Sequence, residues 1–476
     1  MAARLSTTDV IEALSGDRID ARPRLISDAV IDSREVTPDA MFIALPGENV
    51  DGHDFVEQAF QKGALVALVD RDVDSEREQI DLRDGLRLSE STKPEWPARI
   101  FVEDTLEALQ KIAAHWRRQL DVRVIGITGS VGKSTSKELI ADVLSRRFRT
   151  VRSPGNLNNE IGLPLSLLRC TRAHSHAVLE MGFYVPGEIE LLCDIALPQV
   201  GVVTNVSQVH MERAGSMEAI VAGKTELVQS LPPDPEGVAI LNYDEYLVRA
   251  MANQTAGRIF YYGLSPAADL WADEIEGLGL EGIRFVLHYG GESVFVRVPL
   301  LGRHSVHTAL RAASVGLVEG LSWQEIVEGL QGTQSQLRLV AVQGPNGSLI
   351  LDDTYNAAPP SVIAALNLLE DLDGRKVAVL GDMLELGAYE EEGHRLVGAR
   401  AAEVADLLIT VGERARWIAE EAVLAGMDAA KVETVGEASE ALALLQTELQ
   451  EQDVVLVKAS RGIQLDLIVS ELEAAL

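Results

Sequence analysis

Gly126-Ile-Thr-Gly129-Ser130-Val-Gly132-Lys133-Ser134-Thr135 sets the reading of the whole chain. The stretch fits G-x-x-x-x-G-K-[ST] at every fixed position. Before it, Asp121 to Ile127 alternates apolar residues and predicts a strand. After it, Lys133 to Arg147 carries Leu139, Ile140, Val143 and Leu144 at helical spacing. Strand, glycine turn and helix start together form an anion cradle. Backbone N–H groups face a phosphate, and the helix N-terminus adds partial positive charge. Lys133 is suited to the terminal phosphates and the Ser134 hydroxyl to Mg²⁺, with Gly129, Ser130, Gly132 and Thr135 completing the loop. The bland alternative, a glycine-rich turn opening an ordinary helix, loses ground because both flanking elements are in place. The chain is expected to bind a nucleoside triphosphate.

At 476 residues the chain is too long for one typical domain, and about three are expected. A net charge of −31 argues against non-specific binding to nucleic acid or anionic membranes and reads as solubility. Cys170 and Cys193 make neither a disulfide framework nor a paired metal spacing, which suits a reducing compartment. The start Met-Ala-Ala-Arg-Leu-Ser lacks an apolar signal core, and no run approaches ~18 apolar residues. A cytoplasmic protein without membrane insertion is expected. Only nine of the 42 basic residues are lysine, so a lysine at a motif position points to chemistry arginine does not supply. Lys133, Lys224 and Lys458 are such positions.

The sequence divides into an N-terminal α/β unit (1–103), a central unit (104–332) and a C-terminal unit (333–476). In the first, strands are expected at Ala29–Ser33, Ala40–Leu45, Ala64–Val69 and Arg99–Val102, with residues 70–99 as a loop. The central unit alternates strands and helices, the signature of a parallel sheet covered on both faces. Leu270–Ile275, Ile283–His288 and Ser293–Val298 read as a small antiparallel annex to it. Gln331 to Gln336 is a polar linker. The last unit alternates again and is Rossmann-like, but it lacks G-x-G-x-x-G after its first strand, so dinucleotide binding is unsupported.

Ligands of open α/β sheets gather at the carboxyl ends of strands. Glu180 and Asn205 end central strands, with His210 just beyond; Glu180 and His210 could complete a Mg²⁺ environment begun by Ser134. Lys224 sits in an amphipathic helix, where an exposed lysine is the plain reading. Asp352-Asp353-Thr-Tyr-Asn356 and Lys458-Ala-Ser460-Arg461 follow strands of the last unit, and the latter would suit an anionic group.

This constellation resembles the ATP-dependent Mur ligases along essentially the whole chain. The matching stretches are Asp32-Ser33-Arg34, Leu45-Pro-Gly47, Asp51-Gly52-His53-Asp54-Phe55, the P-loop and Gly155-Asn156-Leu-Asn158-Asn159. They continue through Glu180-Met-Gly182, Thr204-Asn205, His210, Gly223-Lys224-Thr-Glu226 and Arg338. Asp352-Asp353-Thr-Tyr-Asn356-Ala and Gly381-Asp-Met-Leu-Glu385-Leu-Gly387 are similar to the branch that joins D-Ala-D-Ala to UDP-MurNAc-tripeptide.

The resemblance implies an acyl-phosphate mechanism and a monomer with three roles for its three units. Ser33, Arg34, Asp51 and His53 would lie in a UDP-sugar-binding domain. Lys133, Glu180, His210 and a carbamylated Lys224 would serve catalysis, and Ser134, Glu180, His210 and Lys224 would hold two Mg²⁺ ions. Arg338, Asp353 and Asn356 would meet ATP from the third unit. Asn156, Asn158, Asn159, Lys458, Ser460 and Arg461 would meet the substrates. The family usually has Asn at the positions of Val131, Ser305 and Thr308, the last a nucleotide contact. A ligase adding another amino acid and a non-catalytic ATP-binding homologue remain as alternatives.

Overall fold

A computed structural model describes residues 4–19, 22–47, 50–83, 94–209, 211–332 and 339–474. Three sheets organise them. The first contains β1 (Ala29–Val30), β2 (Met41–Ile43), β3 (Val66–Val69), β4 (Glu78–Asp81) and β5 (Ala98–Phe101), all parallel, in the order β1-β2-β3-β5-β4. Two expectations need correcting here. β1 stops at Val30 because Asp32 folds the chain into a turn, its carboxylate accepting from Arg34 N at 2.8 Å. The segment 70–99, expected as a loop, contains the edge strand β4; only Ile80 of its four residues is buried, so no apolar alternation marks it. Residues 84–93 lie outside the described residues.

The central sheet has nine strands: β6 (Arg123–Thr128), β7 (Thr150–Arg152), β8 (His176–Glu180), β9 (Val200–Val203), β10 (Val238–Asn242), β11 (Arg258–Gly263), β12 (Leu270–Gly277), β13 (Ile283–Tyr289) and β14 (Glu292–Val298). Their order is β14-β13-β12-β11-β10-β9-β6-β8-β7. The sheet is parallel from β7 to β12 and antiparallel across β12, β13 and β14. The expected annex is therefore an extension of the main sheet, and the central sheet is mixed. Its continuity comes from β12 pairing with β11 at Leu270 and Trp271. β6 lies between β9 and β8, which sets the P-loop beside the ends of both.

The helix Thr105–Arg118 ties the first two sheets together. Thr105 Oγ1 donates to Ala44 O in the first unit (2.8 Å), while Trp116 Nε1 donates to Cys170 O and Arg117 Nε to Ala196 O in the second (2.9 and 2.6 Å). One apolar core accordingly runs from Met41 and Leu68 through Trp116 to Leu179 and Leu227. The third sheet contains β15 (Val340–Gln343), β16 (Leu349–Asp353), β17 (Lys376–Gly381), β18 (Leu407–Val411), β19 (Val432–Val435) and β20 (Val454–Lys458). It is ordered β15-β16-β20-β17-β18-β19, parallel except for β15 at the edge. Among the described residues no helix is long and apolar enough to cross a membrane. Most of the expected linker, residues 333–336, lies outside the described residues.

Candidate active site

The turn after β6 is built from glycine for two physical reasons. Gly129 has φ +142°, and a Cβ there would stand 1.9 Å from Thr204 Oγ1; Gly132, the N-cap of the helix Lys133–Leu144, has φ +83°. The segment after β9 laces the loop in place. Thr204 Oγ1 and Asn205 Nδ2 both donate to Val131 O at 2.8 Å, Asn205 Oδ1 accepts from Val131 N at 2.9 Å, and Ser130 N donates to Asn205 O at 3.0 Å. Lys133 Nζ donates to Gly129 O at 2.8 Å.

Beside the loop sits a buried polar cluster. Ser134 Oγ donates to Glu180 Oε2 at 2.7 Å, and Asn158 Nδ2 donates to Glu180 Oε1 at 2.9 Å. Glu180 is 1% exposed, so both carboxylate oxygens are held in fixed directions by protein. Lys137, one helical turn after Lys133 and equally buried, donates to Gly155 O at 2.7 Å and stands 4.0 Å from Glu180. Sequence reading passed over Lys137, although the scarcity of lysine was a signal that applied to it.

Lys224 is also 1% exposed, on the helix Met217–Gln229, with Nζ 4.8 Å from the centre of the Phe183 ring. It forms no hydrogen bond or ion pair among the described residues. Burial, and then the positive charge of Lys133, push its ammonium well below the usual lysine range. The plain expectation of an exposed lysine is corrected: the helix turns this position inward against Phe183. His210 lies outside the described residues, as does Arg338.

Two cavities adjoin the loop. The larger, about 840 Å³, lies between the central and third sheets. It is lined on one side by Ser130, Gly132, Ser134, Thr135 and Asn156, and on the other by Asp353, Asn356, Lys458, Ser460 and Arg461. Asp353 and Lys458 end adjacent strands in register and pair at 2.6 Å; Lys458 Nζ also donates to Asn356 O at 2.9 Å. Ser460 Oγ accepts from Leu384 N at 2.9 Å. The smaller cavity, about 240 Å³, borders Lys133, Asn158, Asn159, Phe183 and Tyr184. Tyr184 lines both.

One wall of the large cavity contains Thr308, at the position where the family contacts nucleotide, together with residues to which the sequence assigns no role. His304, in the turn Arg303–Ser305, and His307, Thr308 and Arg311, in the first turns of the helix Val306–Val318, line it. His304 is open to water within the cleft but enclosed by protein; that surrounding, then Arg311 and Lys458, lowers its imidazolium to about 4. His307 is lowered to about 4 as well, by burial and then Arg311. The family pattern through this stretch ties Thr308 to the nucleotide, but nothing in the spacing of His304, His307 and Arg311 names a partner for them.

Ser33, Arg34, Asp51 and His53 line neither cavity. Ser33 Oγ donates to Gln58 Oε1 at 2.9 Å. The exposed Arg34 grips Asp32, holding that carboxyl down at about 2. His53 is 5% exposed, with Nδ1 2.7 Å from Asp51 Oδ1 and Nε2 accepting from Asp70 N at 3.2 Å.

A P-loop at the carboxyl end of a mostly parallel sheet, facing a second α/β domain across a cleft, defines a nucleotide-binding α/β protein. Three sequence profiles narrow the class: the Mur ligase family catalytic domain matches residues 26–117, the Mur ligase middle domain 127–316 and the Mur ligase glutamate ligase domain 337–461. The chain is 37% identical over 452 residues to a UDP-N-acetylmuramoyl-tripeptide–D-alanyl-D-alanine ligase of Bacillus subtilis, covering 94% of this chain and 93% of that one. MurF from Acinetobacter baumannii superposes with a TM-score of 0.84 at 31% identity, covering 99% of both chains. MurF from Thermotoga maritima, in complex with ADP, superposes with a TM-score of 0.78 at 26% identity, covering 94% of this chain and 97% of that one. The chain belongs to the Mur ligase family.

Proposed function

We propose that this chain joins D-alanyl-D-alanine to UDP-N-acetylmuramoyl-tripeptide, with ATP converted to ADP and phosphate. The observation that carries the reading is the Ser134–Glu180–Asn158 cluster beside the P-loop, opening on a cleft whose far wall holds Asp353 and Lys458. Relatives bearing that ligase name support the choice of substrates. A carboxylate oxygen of the tripeptide attacks the γ-phosphorus of ATP, and ADP leaves. The amine of D-Ala-D-Ala then attacks the acyl carbon; phosphate departs, the amine proton is released and an amide remains. Both steps move negative charge, so catalysis is positioning and charge neutralisation. Lys133 contacts the transferred phosphoryl group.

Ser134 and Glu180 fit Mg²⁺, being hard oxygen donors already 2.7 Å apart. Among the described residues no three His, Cys, Asp or Glu side chains gather, so water and substrate oxygens would complete the ion's shell. Bound there, Mg²⁺ supplies positive charge to the phosphates. The buried, partner-poor Lys224 favours its neutral amine, whose nitrogen can attack CO₂ and lose a proton to become a carbamate. That carbamate and His210 are assigned to a second Mg²⁺.

Arg338, Asp353 and Asn356 are assigned to ATP, and Asn156, Asn158, Asn159, Lys458, Ser460 and Arg461 to the peptide substrates. Ser33, Arg34, Asp51 and His53 are assigned to the UDP-sugar, within a division of the chain at 103/104 and 332/333. A monomer in the cytoplasm is assigned, and two buried free cysteines suit that compartment.

The test is a ligation assay with ATP, Mg²⁺, D-Ala-D-Ala and UDP-MurNAc-tripeptides carrying meso-diaminopimelate or L-lysine. Pentapeptide product with stoichiometric phosphate is expected from at least one acceptor. ATP binding without product from either would overturn the substrate assignment.

A further inference from the structure

Arg311 is a buried cation with no directly paired carboxylate among the described residues. It is 4% exposed, and Nη2 donates to Thr308 Oγ1 at 2.8 Å while Nη1 donates to Thr204 O at 3.3 Å. Both acceptors are neutral. Its Nε is buried with no hydrogen-bond partner, and among the described residues it forms no ion pair. Glu245 lines the same cavity and its charge is felt by Arg311, but it accepts from Val206 N at 3.3 Å and makes no ion pair with the guanidinium. A lysine so placed could shed its proton, as Lys224 is inclined to do. A guanidinium cannot, so the charge stays in the wall. An unpaired buried charge is costly to keep, and an anion entering the cavity would remove much of that cost.

The position of the guanidinium indicates which anion. Nη2 stands 3.4 Å from where a Cβ on Gly132 would lie, at the N-terminal mouth of the P-loop helix. Of the two cations flanking Gly132, Lys133 borders the smaller cavity and Arg311 the larger. Thr204, which fills the space a side chain at residue 129 would need, also accepts from Arg311, so guanidinium and loop are fixed to one another.

We propose that Arg311 binds the polyphosphate of the nucleotide directly, as a second cation beside the P-loop. The inference rests on the large cavity being the nucleotide site. Thr308 orients the guanidinium by accepting from one of its nitrogens, and the guanidinium lines the cavity beside Gly132.

The test is calorimetric titration of ATP and ADP into the full chain and its Arg311→Met and Arg311→Gln variants, at low and high salt. Thermal unfolding without nucleotide controls for folding. Both variants are expected to bind ATP and ADP about tenfold or more weakly at low salt. Their affinity should also fall less with added salt than that of the unaltered protein, because one charge contact is missing. Arg311→Lys should recover part of the loss, and nucleotide-free Tm should hold or rise in Arg311→Met. Unchanged affinity in the two neutral variants, or a loss identical at both salt levels, overturns the proposal. Failure of the unaltered protein to bind ATP would instead overturn the reading of the cavity, and this inference with it.

Discussion

Lys224 shows how much a single residue's burial changes its chemistry. A fully buried ammonium beside Lys133 is pushed towards its neutral form, and neutrality is what makes an amine nucleophilic. Lys224→Ala is expected to lower ligation on the order of 100-fold or more, in the range seen when metal-supporting groups are lost. Added bicarbonate or a short carboxylate should restore part of it, measured as phosphate release. Lys224→Met separates chemistry from folding. It should be as inactive as the alanine variant, yet unfold at an equal or higher temperature, since an apolar chain replaces a buried amine. Activity undiminished in both would end the carbamate assignment. The identity of Lys224, Lys133 and Glu180 as candidates was legible from residue type and motif. The burial of Lys224 was not, because helical spacing places it on a face without saying what packs there.

The helix Met217–Gln229 owes its fit to the residue before Lys224. Gly223 is buried, and a Cβ there would stand 1.9 Å from Cε2 of Phe183, itself buried and underlying Lys224. Ala is ordinarily better than Gly inside a helix by about 1 kcal/mol. Here overpacking should outweigh that gain, and Gly223→Ala is expected to destabilise by a net ~1–2 kcal/mol. Denaturant titration gives the sign directly: a more stable variant would mean that Phe183 swings away freely. At this scale the long, strongly periodic elements were readable, and the ends were not. β4 and β15 escaped because edge strands bury little and show no alternation. The strands β12 to β14 were read as strands, but their joining to the main sheet depends on one parallel pairing at Leu270 and Trp271 that local sequence does not encode.

Over the whole molecule, the cleft between the central and third sheets holds the candidate site and two histidines whose titration bears on acid stability. His304 and His307 protonate near 4 in the folded protein, against about 6.5 when unfolded. Between those values the unfolded chain binds more protons, so the stability present above pH 6.5 is lost as pH falls towards 4. Thermal unfolding of the nucleotide-free protein should show a drop in Tm across that window. The drop should be smaller in a His304→Asn, His307→Asn double variant; an equal drop would place the acid sensitivity elsewhere. The third domain also touches the central one just beyond the cavity-lining Leu386, where a Cβ on Gly387 would come within 3.0 Å of Glu212 N.

What the sequence determined alone was the chemistry available: a phosphate cradle from Gly129 to Thr135, acidic and basic groups at strand ends, and three α/β units in order. These follow from local rules of spacing, turn geometry and residue type, which need no partner from elsewhere in the chain. Tertiary structure decided which groups meet. Glu180 reaches Ser134 across 46 positions, Lys458 reaches Asp353 across 105, and Arg311 reaches Thr204 across 107. Those contacts depend on the order of strands within each sheet and on how one sheet faces the next. The free energy that fixes such an arrangement comes from burial summed over whole cores, and no short stretch of residues contains it.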